Sequence, residues 1–482
     1  MEHTLTALGA EETFSAFEKL WKTPDSRRLV SQMFDKAWTE FRHRVMVLDD
    51  DPTGVQTVHD IHVATTWDEA ALQREMADER RLFFVLTNSR SFSSEKTAEV
   101  HREIALNAVK AAKGQPLMII SRGDSTLRGH YPLETRILRE TLEEAGEGPF
   151  SGEVLCPFFR EGGRFTLNGV HYVQEGGMLT PAAQTEFARD KTFGYGHSHL
   201  AEYIEEKSQG EILAGDVIVI TLGEIRSLDV DAIVRRLEEA EGFRYIVSDA
   251  LEEADVQVLA VALMRLMARG RRYLIRSAAA VPKVFGNVSS RPLLSRKEMV
   301  EADSASGGLV LVGSHVKKTT DQLNCLRESD KDLEWIEFSV ARWAEEGGLA
   351  AETRRVVARA EDAMRTGRTA VVYTSRQLGA PEGATAEALL AISVRISGAL
   401  TDVVGTLSLR PRFLIAKGGI TSSDVGTRAL RVKRALVLGQ AQPGIPVWQT
   451  GEESLFPGLS YIIFPGNVGG VNTLRAIVEA LA

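Results

Sequence analysis

The sequence has little cysteine and no long apolar run, and both absences restrict the class of protein. Its 482 residues include two cysteines, Cys156 and Cys325, far apart in the chain. This argues against a disulfide framework and fits a reducing compartment. No run approaches the roughly 18 apolar residues that a membrane span needs, and no basic and apolar leader opens the chain. We therefore expect a cytoplasmic protein.

Several short motifs with well-defined chemistry are also missing. Without Cys-x-x-Cys, His-Glu-x-x-His or a close Cys/His cluster, a structural zinc site is not expected. The absence of GxxxxGK[ST], and of GxGxxG after a strand, disfavours a P-loop fold and a dinucleotide-binding fold. A net charge of -9 disfavours broad binding to a nucleic-acid backbone. What is present is a globular composition, 44% hydrophobic and 26% charged, that can support a large core.

Short apolar runs alternate with amphipathic stretches along most of the chain, a pattern typical of α/β proteins. Residues 1–43 are predicted to form a helical extension. Residues 44–290 and 305–482 each hold a series of predicted strands and helices, separated by a polar segment that ends in Ser and Gly. The sequence therefore predicts two α/β domains with mainly parallel sheets, and an active site in the cleft between them.

Three consecutive aspartates follow the first apolar strand of the front domain, in VLDDDPTGVQT. A type I turn explains Asp51, which precedes proline and glycine, but it leaves Asp49 and Asp50 unexplained. Ligands of open α/β sheets bind beyond the carboxyl ends of the strands. A carboxylate at this position could act as a general base for a hydroxyl, or could hold Mg²⁺ through water.

Three more polar loops follow predicted strands of the same domain. ISRGDSTLRGHYPLE (120–134) has two arginines beside hydroxyls at the start of a helix, which suits a carboxylate or a phosphate. TNSRSFS (87–93) and CPFFREGGRFTLNGVHYV (156–173) are weaker signals, since a hairpin like the second needs no function. Because such loops converge at one edge of a parallel sheet, we expect a pocket there for a small, polyhydroxylated acid.

In the rear domain, glycine-rich loops join strands to helices. They occur in LVLVGSHVKKTTDQL (309–323), IAKGGITSSDVGTRAL (415–430) and IIFPGNVGGVNTLRAI (462–477). Glycine lets backbone N–H groups approach an oxyanion, and the N-terminus of the following helix favours negative charge. One such loop is weak evidence, but three in one domain favour a site for nucleotide phosphates.

In this order, the motifs resemble those of the four-carbon acid sugar kinase family. The resemblance covers the chain from about residue 43 to its end and rests on Asp50–Gly54 (DDxTG), Asp124–Gly129 (DSTLRG), Gly313–Ser314, Gly418–Thr421 (GGxT) and Gly466–Gly469. It implies an enzyme that phosphorylates a sugar acid with ATP, with the acid bound by the front domain and the nucleotide by the rear domain. Family substrates include threonate, erythronate, oxo-tetronates and 3-oxo-isoapionate.

Departures from the family pattern leave the acid open. Asp49 adds a third aspartate, Pro52 lies inside the first motif, and Arg122 stands where the family often has lysine.

The resemblance also implies roles for individual residues. Asp51, or alternatively Asp50, would take the proton from the attacking hydroxyl, and crowding should raise the pKa of at least one aspartate by mutual repulsion. Mg²⁺ would shield the phosphates of ATP, with its protein ligands left open. The expected substrate-binding residues are Asp50, Thr53, Ser89, Arg90, Asp124, Ser125, Arg128 and Arg164. The expected nucleotide-binding residues are Ser314, His315, Gly418, Gly419, Ile420, Thr421, Gly466, Asn467 and Gly469.

Other functions remain alternatives. A non-catalytic sensor of sugar acids and nucleotides could also have two α/β domains, although three phosphate-suited loops are unnecessary in a sensor. A dehydrogenase lacks its fingerprint, and an aldolase would need a Schiff-base lysine, whereas Lys417 is more simply placed beside a phosphate loop. His171 is expected to pack or to form hydrogen bonds. The expected partners are a sugar acid and ATP, with no nucleic acid and no membrane, and a homodimer is the expectation retained for the assembly.

Overall fold

The computed structural model describes residues 5–300, 304–375, 386–466 and 468–482. The chain forms two compact units. The first contains Met1–Thr57 and Thr66–Ser289, and the second contains Val58–Thr65 and Ser290–Ala482. Within the described ranges, no helix combines the length and the apolar character needed to cross a membrane.

The elements are numbered in chain order. The strands are β1 (Leu8–Gly9), β2 (Arg44–Asp49), β3 (Ile61–Ala64), β4 (Leu82–Leu86), β5 (Leu117–Arg122), β6 (Gly152–Cys156), β7 (Arg164–Leu167), β8 (Val170–Glu175), β9 (Met178–Pro181), β10 (Ile218–Ile220), β11 (Arg244–Ser248), β12 (Tyr273–Ser277), β13 (Leu309–Val312), β14 (Leu333–Phe338), β15 (Thr369–Thr374), β16 (Leu414–Lys417), β17 (Arg434–Gln442), β18 (Ile445–Thr450) and β19 (Ser460–Phe464). The α-helices are α1 (Ala10–Glu18), α2 (Ser26–Glu40), α3 (Glu69–Met76), α4 (Ser94–Ala112), α5 (Leu133–Glu144), α6 (Leu200–Lys207), α7 (Leu222–Arg226), α8 (Val230–Glu239), α9 (Glu253–Ala268), α10 (Ala280–Phe285), α11 (Arg296–Met299), α12 (Lys317–Arg327), α13 (Gly348–Arg365), α14 (Ala386–Gly405), α15 (Gly419–Asp424) and α16 (Thr473–Leu481).

The main sheet of the first unit is parallel, in the order β10-β11-β6-β12-β5-β2-β4. Its central strands are continuous apolar runs, as expected for strands that are buried on both faces. The chain continues from β2 to β4 on one side and later to β5 on the other, so the strand order reverses at β2. Open α/β sheets bind their ligands at such a reversal, beyond the carboxyl ends of the strands.

Helices α3, α4 and α5 cover one face of this sheet, where their apolar side chains form a common core with those of β2, β4 and β5. The helix starts have a local cause. Ser93 caps α4 by accepting a hydrogen bond from the backbone of Lys96, and Asp68 caps α3 through Ala71. These caps fix where the polar loops end and the helices begin.

A smaller antiparallel sheet, β1-β9-β8-β7, also belongs to the first unit. Asn168 and Gly169 join β7 to β8 and both have positive φ, at 48° and 76°. This is the Asn-Gly combination that favours a tight hairpin. Strand β1 and helices α1 and α2 come from residues 1–43, so the N-terminal extension is part of this unit.

The second unit has the sheet β3-β17-β18-β19-β16-β13-β15-β14, antiparallel from β3 to β19 and parallel from β19 to β14. The boundaries expected from the sequence put β3 in the front domain. In the structure it pairs with β17, with Val63 opposite Ala435, because local sequence does not specify the partner of a short strand. The helix expected over 421–430 is α15 followed by a π-helical turn, Val425–Ala429. Both units are α/β, with mainly parallel sheets.

Candidate functional site

Polar side chains lie together beyond the carboxyl ends of β5, β2 and β4, three adjacent strands of the first unit. Arg90, in the turn after β4, forms two bonds to Asp50, with Nε 3.0 Å from Oδ2 and Nη2 2.5 Å from Oδ1. Nη1 of Arg122, the last residue of β5, lies 3.2 Å from Asp49 Oδ1 and 3.6 Å from Asp50 Oδ1. Two arginines therefore hold the aspartates that a turn alone leaves unexplained.

The three aspartates differ in access to solvent. Asp49 and Asp50 are 2% and 3% exposed, whereas the side chain of Asp51 is 19% exposed. The backbone N–H of Thr53 donates to Asp51 Oδ1 at 2.8 Å, and its hydroxyl donates to the same oxygen. The other oxygen, Oδ2, lies 3.4 Å from Arg90 Nη1. Asp51 is therefore the aspartate that a substrate could reach, and Thr53 orients it.

Their protonation differs as well. Burial raises the pKa of Asp49 to about 7, against the opposing charge of Arg122. Burial also raises the pKa of Asp50, against the opposing effect of Arg90. For Asp51, burial acts upward, but Arg90 and the hydrogen bonds from Thr53 leave the pKa below its ordinary value. The sequence predicts a rise through mutual repulsion. In the structure burial is the larger cause, and the preferred base shifts downward.

The glycines of the two front motifs leave room for charged groups. A Cβ on Gly54 would lie 2.0 Å from both carboxylate oxygens of Asp49. A Cβ on Gly123 or on Gly129 would lie 2.1 Å or 2.9 Å from Nη2 of Arg276. Any side chain at these positions would therefore displace a buried charge.

Arg276 is a site residue that sequence reasoning missed. It lies on β12, next to β5, and is buried. Its Nη1 donates to Ser121 Oγ at 2.7 Å and forms an ion pair with Glu134 on α5. An arginine inside the predicted strand YLIRS is the one local signal that could have identified it.

Three side chains hold the loop at residues 124–129 by donating to its consecutive carbonyl oxygens. His171 Nε2, Tyr195 OH and Tyr203 OH each lie 2.8 Å from the carbonyl oxygen of residues 125, 126 and 127, respectively. A carbonyl only accepts, so His171 carries its proton on Nε2. Burial lowers its pKa to about 4, so the ring is neutral at neutral pH. The hydrogen-bonding role predicted for His171 is confirmed.

These donors stabilise an unusual backbone. Leu127 has a φ of 67°, a left-handed conformation that costs a non-glycine residue free energy. In the same loop, Arg128 Nε donates to Asp124 at 2.7 Å. Burial acts to raise the pKa of Asp124, but the charges of Arg90 and Arg128 hold it well below its usual range. The loop therefore presents an ionised Asp124–Arg128 pair in a fixed conformation.

Arg128 and Arg164 share an aromatic neighbour. Their guanidinium carbons lie 5.3 Å and 5.4 Å from the ring centre of Phe187. Arg164 forms no ion pair with any carboxylate that the structure describes, and its Nε is buried without a hydrogen-bond partner. Arg164 is therefore a cation with donors left over for an anion. Phe187 follows the hairpin and carried no sequence signal.

Ser89 and Ser125 occupy less accessible positions than the sequence predicts. Ser89 is fully buried, and its hydroxyl donates to Glu134 at 2.5 Å. Ser125 is buried too, and its carbonyl accepts from His171. Both lie at the predicted edge, but the bonds described for them support the loops from inside.

In the second unit the glycine loops follow β13, β16 and β19, which are again adjacent and parallel. A Cβ on Gly313 would lie 2.2 Å from Thr421 Oγ1, one on Gly418 would lie 3.3 Å from the backbone N of Ser314, and one on Gly466 would lie 3.1 Å from Ser314 Oγ. The structure therefore brings these predicted residues together, at distances that leave little room for larger side chains.

Other predicted nucleotide-binding residues lie at the edge of these loops. A Cβ on Gly419 would meet no atom within 4 Å, and Ile420 is 68% exposed. His315 Nε2 lies 3.4 Å from Thr374 Oγ1, at the end of β15. Gly419 therefore borders open space in which a ligand could approach the backbone.

The late glycine loop is held by Gln322, which sequence reasoning missed. Its Nε2 donates to the carbonyl oxygens of Val468 and Gly470, at 3.2 Å and 2.8 Å. Gly469 between them has a φ of 82°. The predicted residue Asn467 lies outside the described residues.

No group of three or more His, Cys, Asp and Glu side chains that could hold a metal ion occurs in the described part of the chain. Mg²⁺ usually binds through substrate phosphates, several waters and one or two carboxylates, so it does not require such a group. The open loops of the second unit fit nucleotide phosphates, while the ligands of Mg²⁺ stay undetermined.

Comparison with known proteins bears on both units. Residues 45–284 match the family model of a sugar-binding N-terminal domain, and residues 309–474 match that of a nucleotide-binding C-terminal domain. A 3-oxo-tetronate kinase of Brucella melitensis biotype 1 is 26% identical over 365 residues, which cover 72% of this chain and 73% of the relative.

Solved structures show the same fold. Haemophilus influenzae protein HI1011, described as DUF1537, is 17% identical with a TM-score of 0.60, covering 91% of this chain and 100% of its own. A protein described as a putative tRNA synthase of Salmonella typhimurium LT2 is 18% identical with a TM-score of 0.63, covering 90% and 98%. The two family models together span most of the chain, in the order that the motifs predict. The chain therefore belongs to the four-carbon acid sugar kinase family.

Proposed function

We propose that this protein is an ATP-dependent kinase that phosphorylates a hydroxyl of a small sugar acid. Threonate, erythronate, an oxo-tetronate and 3-oxo-isoapionate are the acids proposed. The observation that carries the proposal is the cluster at the carboxyl ends of β5, β2 and β4, which combines a reachable carboxylate with arginines. The kinase relative supports the reaction class, and its acid is one of the substrates proposed here.

The acid would bind through its carboxylate to Arg128 and Arg164. Arg164 has unused donors, and Phe187 holds both guanidinium groups near its ring. Charge-assisted bonds to a carboxylate are strong and directional. Arg90 is occupied by Asp50 and Asp51, so we assign it the orientation of the aspartates as well as the substrate contact predicted for it.

Asp51 would accept the proton of the attacking hydroxyl. Its low pKa is compatible with this role, because phosphoryl transfer depends more on positioning and on charge stabilisation than on a strong base. Thr53 and Arg90 fix the carboxylate in one orientation. Asp50 would keep Arg90 in place.

ATP would bind to the second unit, with its phosphates on the loops that begin at Gly313, Gly418 and Gly466. Backbone N–H groups beside small residues suit phosphate oxygens. Mg²⁺ bound with the nucleotide would neutralise phosphate charge. The predicted cleft between the domains stays a prediction. Both cysteines are unpaired, which fits the cytoplasmic location that we propose.

A substrate screen tests the function. The full chain would be mixed with ATP, Mg²⁺ and each of a set of four-carbon and branched sugar acids, and ADP formation would be measured. We expect ADP to form with at least one acid and not without acid. If nucleotide and acids bind but none is turned over, the protein is a sensor rather than a kinase.

Replacing Arg128 by Ala should raise the KM for the acid by about 30-fold or more, equal to about 2 kcal/mol, because a charge-assisted pair is lost. The KM for ATP should stay unchanged. Steady-state kinetics with both substrates checks this. The control is Arg136→Ala, which removes a surface partner of Glu211 in the same unit. An unchanged KM for the acid in Arg128→Ala would rule out the carboxylate role.

Replacing Gly419 by Val should weaken nucleotide binding by about tenfold or more, equal to about 1.4 kcal/mol, because the side chain would occupy the space next to the loop backbone. The fold should persist, since a Cβ there meets no neighbouring atom. Calorimetric titration with ADP and a thermal melt check both points.

The matched control for this change is Gly398→Val, on α14, where a Cβ also meets no atom within 4 Å. It should retain full affinity for ADP. If Gly419→Val binds ADP as well as this control does, the loop after β16 is not part of the nucleotide site.

A further inference from the structure

Lys417, the last residue of β16, has no exposed surface. Its ammonium nitrogen lies 3.1 Å from the carbonyl oxygen of Pro465 and 3.5 Å from that of Gly466. The same nitrogen lies 3.7 Å from the ring centre of Phe464, on the neighbouring strand β19. A lysine this deeply buried usually pairs with a carboxylate.

Lys417 connects all three glycine loops. Gly418 follows it directly in the chain, and its side chain donates to the loop that contains Gly466. Its own carbonyl oxygen accepts a hydrogen bond from the backbone N–H of Gly313, at 3.1 Å. A change at this one residue would therefore act on each loop to which we assign a phosphate contact.

The charge of Lys417 is not neutralised by the protein. No carboxylate in the described part of the chain forms an ion pair with it, and the charged group that acts on it is another cation, Lys318 on α12. Burial, and then Lys318, lowers the pKa of Lys417 to about 7. At pH 7 about half of the molecules therefore carry the neutral amine.

We propose that Lys417 is a positioning residue of the nucleotide site, which joins the three glycine loops from within the protein and supplies buried positive charge to a bound polyphosphate. This inference rests on the proposed nucleotide site and adds a residue and a proton to it. A polyphosphate provides the negative charge that the ammonium group lacks, so it favours the charged form. Binding then transfers one proton from the buffer to the Lys417 amine, and the buffer acid becomes its conjugate base.

The direction of the pH dependence follows. The amine has a higher pKa with nucleotide bound than without it, so binding is strongest at low pH and weakens as pH rises through the free value. With a free pKa near 7, affinity for ADP should fall by about fivefold from pH 7 to pH 8. The proton taken up should increase over the same interval.

Calorimetric titration of the full chain with ADP at pH 8, in HEPES and in Tris, tests the inference. The two buffers release different heats when they give up a proton, so the difference in binding heat counts protons. At pH 8 the phosphates of ADP are ionised, since the second pKa of a phosphate monoester is about 6. We expect an uptake between about 0.5 and about 0.9 proton in the wild type, since Lys417 is then mostly neutral before binding.

Variants separate Lys417 from other groups. Lys417→Met should bind ADP more weakly, with no proton uptake and no loss of affinity between pH 7 and pH 8. Lys417→Arg keeps the charge at every pH, so it should recover affinity without uptake. Lys331→Met removes an exposed lysine of the same unit and should behave as the wild type.

The outcomes are distinct. If the wild type binds ADP with the same heat in both buffers, or if Lys417→Met takes up as many protons as the wild type, the inference is wrong and the nucleotide site stands. If the wild type binds neither ADP nor ATP, the proposed function fails, and the inference fails with it. The wild-type measurement decides even if a variant does not fold.

Discussion

Replacing Asp51 by Asn should lower kcat by about 10²- to 10⁴-fold and leave affinity for ADP unchanged, because it removes the proton acceptor of the attacking hydroxyl. Asp51 is the most exposed of the three aspartates, and its two oxygens have different environments. One accepts two bonds from Thr53, and the other lies 3.4 Å from Arg90. Asparagine keeps the size of the side chain and one accepting oxygen, so the turn should persist.

The pH profile of kcat gives a second measurement of the same role. The pKa of Asp51 lies below the ordinary value of an aspartate, so the carboxylate is ionised throughout the neutral range. It should produce no loss of kcat between about pH 5 and pH 8, since a base is active above its pKa. A fall of kcat across that range that Asp51→Asn abolishes would contradict the low pKa.

Asp49→Asn is the matched control. Asp49 is buried against Gly54 and bonds to Arg122, so its replacement should affect stability more than the proton transfer. If Asp51→Asn retains turnover within about threefold of the wild type, Asp51 is not the base, and Asp50 becomes the remaining acceptor of the motif.

The local sequence predicts much of this fold because its strands are continuous apolar runs that end in turn residues. LFFVL and YLIRS match β4 and β12 residue for residue. The polar loops then follow from the rule that ligands bind at the carboxyl ends of parallel strands. The antiparallel strand β18 was missed, because the sequence QPGIPVWQT gives no alternation strong enough to be read as a strand.

Contacts between distant parts of the chain could not be predicted in this way. Tyr195 and Tyr203 donate to the loop at residues 124–129 from 69 and 76 residues away. Glycines show the same limit. Gly313 is recognisable as part of a phosphate-suited loop, but its approach to Thr421 depends on the neighbouring strand β16. Sequence patterns identify the loops, and strand order decides which side chains meet.

Replacing Arg276 by Met should lower the free energy of unfolding by about 3–5 kcal/mol, because it leaves a buried charge without its partner. Arg276 is paired with Glu134, and both side chains are buried. Methionine fills part of the volume but donates no hydrogen bond to Glu134 or to Ser121. Urea unfolding, fitted as separate transitions if the two units unfold separately, measures the loss.

The loss should depend on pH. In the wild type, burial acts to raise the pKa of Glu134, but Arg276 outweighs it and the pKa lies below the ordinary value. A carboxyl group with a lowered pKa stabilises the fold above its unfolded pKa, and this contribution is lost as pH falls. The difference between wild type and Arg276→Met should therefore be largest at neutral pH and shrink below about pH 5, where Glu134 becomes protonated in the variant.

Two further variants test whether the buried pair is the cause. Arg272→Met removes an exposed arginine that pairs with Glu147 near the start of the same strand, and it should cost less than about 1 kcal/mol. The double variant Arg276→Met/Glu134→Gln removes both charges and should recover part of the stability lost in Arg276→Met. Arg276 supports the fold through Glu134 only if this recovery occurs. A loss no larger than that of Arg272→Met would show instead that the ion pair contributes little, and that Gly123 and Gly129 are small for another reason.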